Sequence, residues 1–161
     1  MAAAKAIANA SHWRWRDSLI AALVAGVTGG IPSTLFALLT KGDLLEPTRA
    51  AGAMLISPHS RLVVLLAAAA LVHISVSFFW AALLAFLPRG HIILWCTLAA
   101  SAIAVFDLRV IGRYFPEILH LPFWPQFADH LAWGFTVGAV LHWRLRRRSV
   151  GSTNPDADSH N

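Results

Sequence analysis

Apolar residues gather into four long runs, Leu19 to Leu39, Leu62 to Leu87, Ile92 to Ile111, and roughly Gln126 to Trp143. A bilayer core ~30 Å thick is crossed by about 20 helical residues, so each run predicts one spanning helix. Lipid offers no partners for free backbone groups, which makes helix the required form. The fourth run is the weakest. Its opening stretch "FADHLAWGFTVGAV" places Asp129 and His130 where a span should already be apolar. Beginning that helix at Pro125, a good first-turn residue, restores a full crossing. The fold class expected is all-α, a four-transmembrane-helix bundle.

The polar positions between the runs set the organisation. Residues 1–17 form an N-terminal segment, 18–145 the membrane domain, and 146–161 a tail ending "SVGSTNPDADSHN" with nothing to bury, expected to be disordered. The short loop "PRGH" predicts a tight antiparallel hairpin of spans two and three. The loop "KGDLLEPTRAAGAMLISPHS" is long enough for a short interfacial helix, with Pro47 suited to its first turn. "RYFPEILHLPFWPQ" is rich in prolines and aromatics and reads as a lid at headgroup level.

Composition narrows the class. Hydrophobic residues make up 57% of the chain and charged residues 13%, about half the charged share of soluble domains. The net charge of +5 does not point to nucleic acid, because the basic residues cluster at the ends of apolar runs. Lys5, Arg14, Arg16, Arg89, Arg144, Arg146, Arg147 and Arg148 fall on one side. Lys41, Arg49, Arg61, Arg109 and Arg113 fall on the other. This bias predicts both termini in the cytoplasm. The first run has no A-x-A cleavage pattern and is longer than a signal-peptide core, so it reads as a retained span. Cys96 is the sole cysteine and permits no internal disulfide.

Polar residues inside the runs are the candidates for function. In "GVTGGIPSTLFAL", Pro32 lacks an N–H, so the carbonyl of Thr28 loses its helical partner and a kink is expected. Freed carbonyls with Thr28, Ser33 and Thr34 can line an ion or substrate site, as broken helices do in transporters. The plainer alternative is a kink that only aids packing. His73 lies about eleven residues into the second run, near the bilayer middle, with Ser77 one turn on along the same face. Ionisable groups at that depth face a bundle interior or a cavity. The alternative is a neutral imidazole clasping a neighbouring helix. Asp107 and His130 come at similar depths from the external side and are expected to pair. Asp129 points elsewhere, as a first-turn acid facing a helix N-terminus. Two G-x-x-x-G seams, Gly26 to Gly30 and Gly134 to Gly138, are expected to bring helices together within the bundle or between protomers.

Metal and enzyme chemistry find less support. At ~1.5 Å per residue His130 lies about 9 Å nearer the outer surface than His73, which argues against a bis-histidine haem. No H-E-x-x-H, clustered Cys/His spacing or G-x-S-x-G pattern occurs, and no acid, base and nucleophile converge. No cofactor is favoured, and catalytic activity is the minority reading.

Across "GGIPSTLFALLTKGDLLEPTRAAGAML" and "FPEILHLPFWPQFADHLAWGFTVGAVL" the chain resembles small uncharacterised four-span membrane proteins of bacteria, especially actinobacteria. The resemblance implies a multi-pass inner-membrane location and carries over no activity and no functional residues. The expectation is a non-enzymatic protein in the lipid bilayer: a small transport or channel-like unit, or an accessory subunit, with a polar interior of Thr28, Pro32, Ser33, His73, Ser77, Asp107 and His130. A lone bundle leaves little room for a conduit, so transport calls for a homo-oligomer or a membrane protein partner. The alternatives are a haem- or metal-binding electron-transfer protein and a structural scaffold without ligand.

Overall fold

The computed structural model describes residues 15–151. Lys5, Trp13, Arg14 and residues 152–161 lie outside the described residues. Seven helices occur among the described residues, and no strand: α1 Trp15–Thr28, α2 Ile31–Thr40, α3 Glu46–Ala53, α4 Leu62–Leu84, α5 Ile92–Arg109, α6 Pro116–Leu119 and α7 Phe123–Gly151. Short 3-10 turns at Arg89–His91 and Ile111–Tyr114 flank α5.

Three helical stretches are long and apolar enough to cross a membrane: Trp15–Thr40 (α1 with α2), Leu62–Leu84, and Arg89–Tyr114. Large apolar side chains cover their outer surfaces; Val27 is 81% exposed and Leu39 84%. In water such a surface would be an aggregation hazard, whereas lipid solvates it. This pattern fits a helical membrane protein. The fourth long helix, α7, carries Asp129, His130 and an arginine-rich end, which lower its hydropathy below that of the other three.

The first run is broken rather than kinked. α1 stops at Thr28, Gly29 and Gly30 form a turn, and α2 restarts at Ile31 with Pro32 in its first turn. Proline is well placed there, because the first N–H groups of a helix have no internal partner anyway. Lys41, in the left-handed region at φ 54°, ends α2, and the Gly42 N–H donates to the Ala37 carbonyl at 2.8 Å.

α7 is the hub, packing on α5, α1 and α2, while α4 packs on α1 and on α3. The start of α1 and the later part of α7 meet at one end of the molecule. There Arg144 Nε donates to Asp17 Oδ1 at 2.8 Å, and Asp17 is fully buried. A small-residue core fills the same half: Ala21, Ala22 and Ala25 of α1, Ala81 and Leu84 of α4, Ile92 and Cys96 of α5, and Val137 and Leu141 of α7. The expected tight hairpin of spans two and three is not formed. α4 and α5 meet in this terminal-end core and then part, because α4 leans on α1 and α3 while α5 follows α7.

The loop helices pack on the far half of the molecule. α3, the short helix expected in the first long loop, lies on α4, where Gly52 passes so close to the Leu65 backbone that a Cβ would meet its carbonyl oxygen at 2.3 Å. α3 also touches α6, which rests on the Ile111–Tyr114 turn at the end of α5. Asp43 anchors the start of this loop by accepting the Leu45 N–H at 2.8 Å and pairing with Arg49. The Arg49 hydrogen bond, then the Leu45 N–H, hold the Asp43 carboxyl below the usual carboxylate range. At the other end α7 runs through the arginine cluster to Gly151.

Candidate functional site

The first apolar run and the start of α7 meet at one place. Breaking a helix exposes backbone N–H groups at its new N-terminus, and in an apolar setting each needs an acceptor. The Ser33 N–H finds one in Asp129, which lies 96 residues on in the chain, at 2.8 Å to Oδ1. Asp129 therefore faces a helix N-terminus as expected of it, but the terminus is that of α2 and not of its own helix. The hydroxyls of Ser33 and Thr34 turn back to the Gly30 carbonyl at 3.3 and 2.8 Å. Thr28 Oγ1 lies 3.2 Å from the Val24 carbonyl and 3.1 Å from Thr136 Oγ1 on α7.

Trp133 seats the break. A Cβ on Gly29 would come within 3.1 Å of Trp133 Cβ and 2.9 Å of the Ala25 carbonyl, so this position has room only for glycine. On its other side the Trp133 indole N–H donates to Ser77 Oγ of α4 at 3.2 Å. Asp129, Trp133 and Thr136 are spaced i, i+4, i+7, one stripe of α7 turned to the broken run. Helical spacing puts these three residues on one face, and only the packing shows what that face meets.

The neighbouring stripe of α7 faces α5. Here His130 Nε2 lies 3.3 Å from Asp107 Oδ2, and His130 Nδ1 lies 2.8 Å from the Gln126 carbonyl. Both side chains of the pair are partly buried, 25% and 30% exposed. One turn and two turns further, Gly134 and Gly138 let the helices touch. A Cβ at Gly134 would meet Ala100 Cβ at 2.3 Å, and one at Gly138 would meet the Ile93 Cα at 2.6 Å. Gly26 and Gly30 make no seam among the described residues, none of which comes within 4 Å of either Cβ position. The residue of that segment in close contact is Gly29.

His73 is placed differently from expectation. It is exposed on α4 and hydrogen-bonds to none of the described residues. The expected depth difference from His130 is also corrected. α4 and α7 run in the same direction, and the Trp133–Ser77 bond ties residue 133 to residue 77, so His73 and His130 lie within about a turn of each other in level. They are close enough for their charges to interact. Counting from helix ends misjudged this, because α4 starts farther out than α7, in the turns that α3 covers.

The cluster thus contains two carboxylates, two imidazoles, five hydroxyls and an interrupted backbone, gathered in the half of the molecule away from the Asp17–Arg144 contact. Such a set can exchange protons and can coordinate a small polar solute. Among the described residues no group of three His, Cys, Asp or Glu is arranged to hold a metal ion. Both nitrogens of His130 already have partners. The Asp17–Arg144 pair is a further buried ionic contact that the charge pattern alone did not indicate; Arg144 reads there as one of the basic residues at a membrane exit. No family model, no curated protein and no solved structure matches the chain, so the functional reading rests on this geometry.

Proposed function

We propose that the chain is a four-span protein of the bacterial inner membrane, with both termini cytoplasmic, and that it works as a small transport unit with a polar interior site. The observation that carries the reading is the interrupted first span, held open by a carboxylate from α7. An ionisable residue at the centre of a membrane helix costs about 2.5–3.5 kcal/mol on insertion scales. A scaffold has no need of a broken helix beside Asp107, Asp129, His73 and His130. Transporters use broken spans of this kind, whose free backbone groups meet the solute. α7 is counted as the fourth span because its stripes of Asp129, Trp133 and Gly134 lie against two apolar helices for several turns. A single copy leaves little room for a conduit, so copies of the chain or a membrane partner would complete it.

The test uses protons as the probe, since each ionisable member of the cluster exchanges them. Proteoliposomes with a trapped pH dye are given a potassium diffusion potential. Wild-type protein is expected to move protons faster than protein-free vesicles, and His73→Ala or Asp129→Asn to lower that rate about tenfold, as loss of a proton-handling group does. A rate equal to that of empty vesicles, or one untouched by both substitutions, contradicts the reading. Haem bands or stoichiometric metal in the purified protein would instead favour electron transfer through the two histidines.

A further inference from the structure

The hydrogen-bond partners of His130 fix a proton count. A carbonyl oxygen only accepts, so the contact of Nδ1 with the Gln126 carbonyl at 2.8 Å requires the hydrogen on Nδ1. A neutral imidazole then has a bare Nε2. That nitrogen lies 3.3 Å from Asp107 Oδ2, and an ionised carboxylate is likewise only an acceptor. Two lone pairs would face each other. The contact is attractive only if one more proton is present, on Nε2 or on the carboxyl oxygen.

We propose that Asp107 and His130 form a proton-binding site, in which the tie between α5 and α7 lasts only while that extra proton is bound. The proton is the ligand, and the two helices are the elements it joins. This goes beyond the transport reading and does not depend on it.

The surroundings of the pair are defined. Asp129 comes from α7 itself, one residue before His130, and its Oδ1 is already engaged by the Ser33 N–H. His73 approaches from α4 and senses the charge of His130. α2 carries no titratable side chain, and the charged residues of α1, Arg16 and Asp17, stand at the opposite end. Farther along α5, Arg109 is turned to the ring of Phe123, with its guanidinium 4.5 Å from the centroid. Asp129 and His130 are adjacent and point to different helices, so the pair sits beside the carboxylate that holds the broken first run.

The sign of the pH effect follows from the proton count. Above the ordinary histidine range, ~6.5, an unfolded chain keeps Asp107 ionised and His130 neutral. The folded pair binds one proton more, so folding stability falls as pH rises through its release. In Asp107→Asn the amide N–H can donate to the bare Nε2, and the tie then needs no extra proton. The experiment is thermal unfolding of the full chain in detergent between about pH 5 and 9, for wild type and Asp107→Asn. Wild type is expected to lose a few degrees of Tm more than the variant over this range, the other histidines being common to both. Parallel curves would overturn the proposal. If the variant does not fold, nitrogen-15 histidine NMR of the wild type decides, with His130→Gln assigning the signal. A hydrogen on Nδ1, alone or with one on Nε2, is the result expected; a neutral ring protonated on Nε2 only would overturn it.

Discussion

Asp129 illustrates what one residue can do in an apolar setting. Its carboxylate supplies the acceptor that the start of α2 lacks, and it comes from a helix far away in the chain. Replacing a capping acid by alanine costs about 0.5–2 kcal/mol in soluble proteins, and lipid offers no water to take its place. Asp129→Ala should therefore lower stability in detergent by about 2 kcal/mol, and Asp129→Asn, which keeps an acceptor, by less. Denaturation in graded SDS would measure both; equal stability of the alanine variant and wild type would show that the bond contributes nothing. The residue-scale chemistry was half legible. The sequence shows that Pro32 frees backbone groups, that Asp129 suits a helix N-terminus, and that Asp107 and His130 enter at similar depth. It does not show which terminus Asp129 serves, because both α2 and α7 begin nearby and only packing decides. Nor does it show that Ser77 is covered by Trp133 while His73, one turn away, is left exposed.

At the scale of helices, the same spelling has two outcomes. Gly26 to Gly30 and Gly134 to Gly138 are both G-x-x-x-G, yet only the second is pressed against another helix. The spacing guarantees that two glycines share a face. It does not say what lies opposite, and for Gly26 and Gly30 none of the described residues does. Filling the second seam must push α5 from α7 near the backbone of Cys96 and Ile93. Overpacking of this kind costs about 1–3 kcal/mol. Gly134→Val is expected to lose at least that much and Gly26→Ala essentially nothing, judged by the same unfolding measurement in detergent. Equal losses at the two seams would mean that α5 and α7 are not held as described. The expected α4–α5 hairpin failed for a related reason. A short loop fixes that two helices are neighbours at one end, whereas the core of alanines and Cys96 there and the separate supports of α3 and α7 set where they diverge.

For the molecule as a whole, the apolar runs were the most readable feature, because a bilayer imposes one length on every crossing. Three of them are helices long and apolar enough to span. The fourth is where length and polarity conflict: α7 is long, but Asp129 and His130 would be costly in lipid. Both are engaged with other helices, Asp129 at the α2 N-terminus and His130 on Asp107, which is how ionisable residues are accommodated in membrane proteins. The account stands or falls on α7 crossing the membrane, since only then is the polar cluster inside it. Single cysteines placed at His59, His91, His120 and a C-terminal extension, in a Cys96→Ala background, can be labelled in intact cells with a membrane-impermeant maleimide. Labelling at 59 and 120 from outside, with 91 and the C-terminus reacting only after lysis, is the predicted result. A position 120 that reacts from the same side as the C-terminus would contradict it.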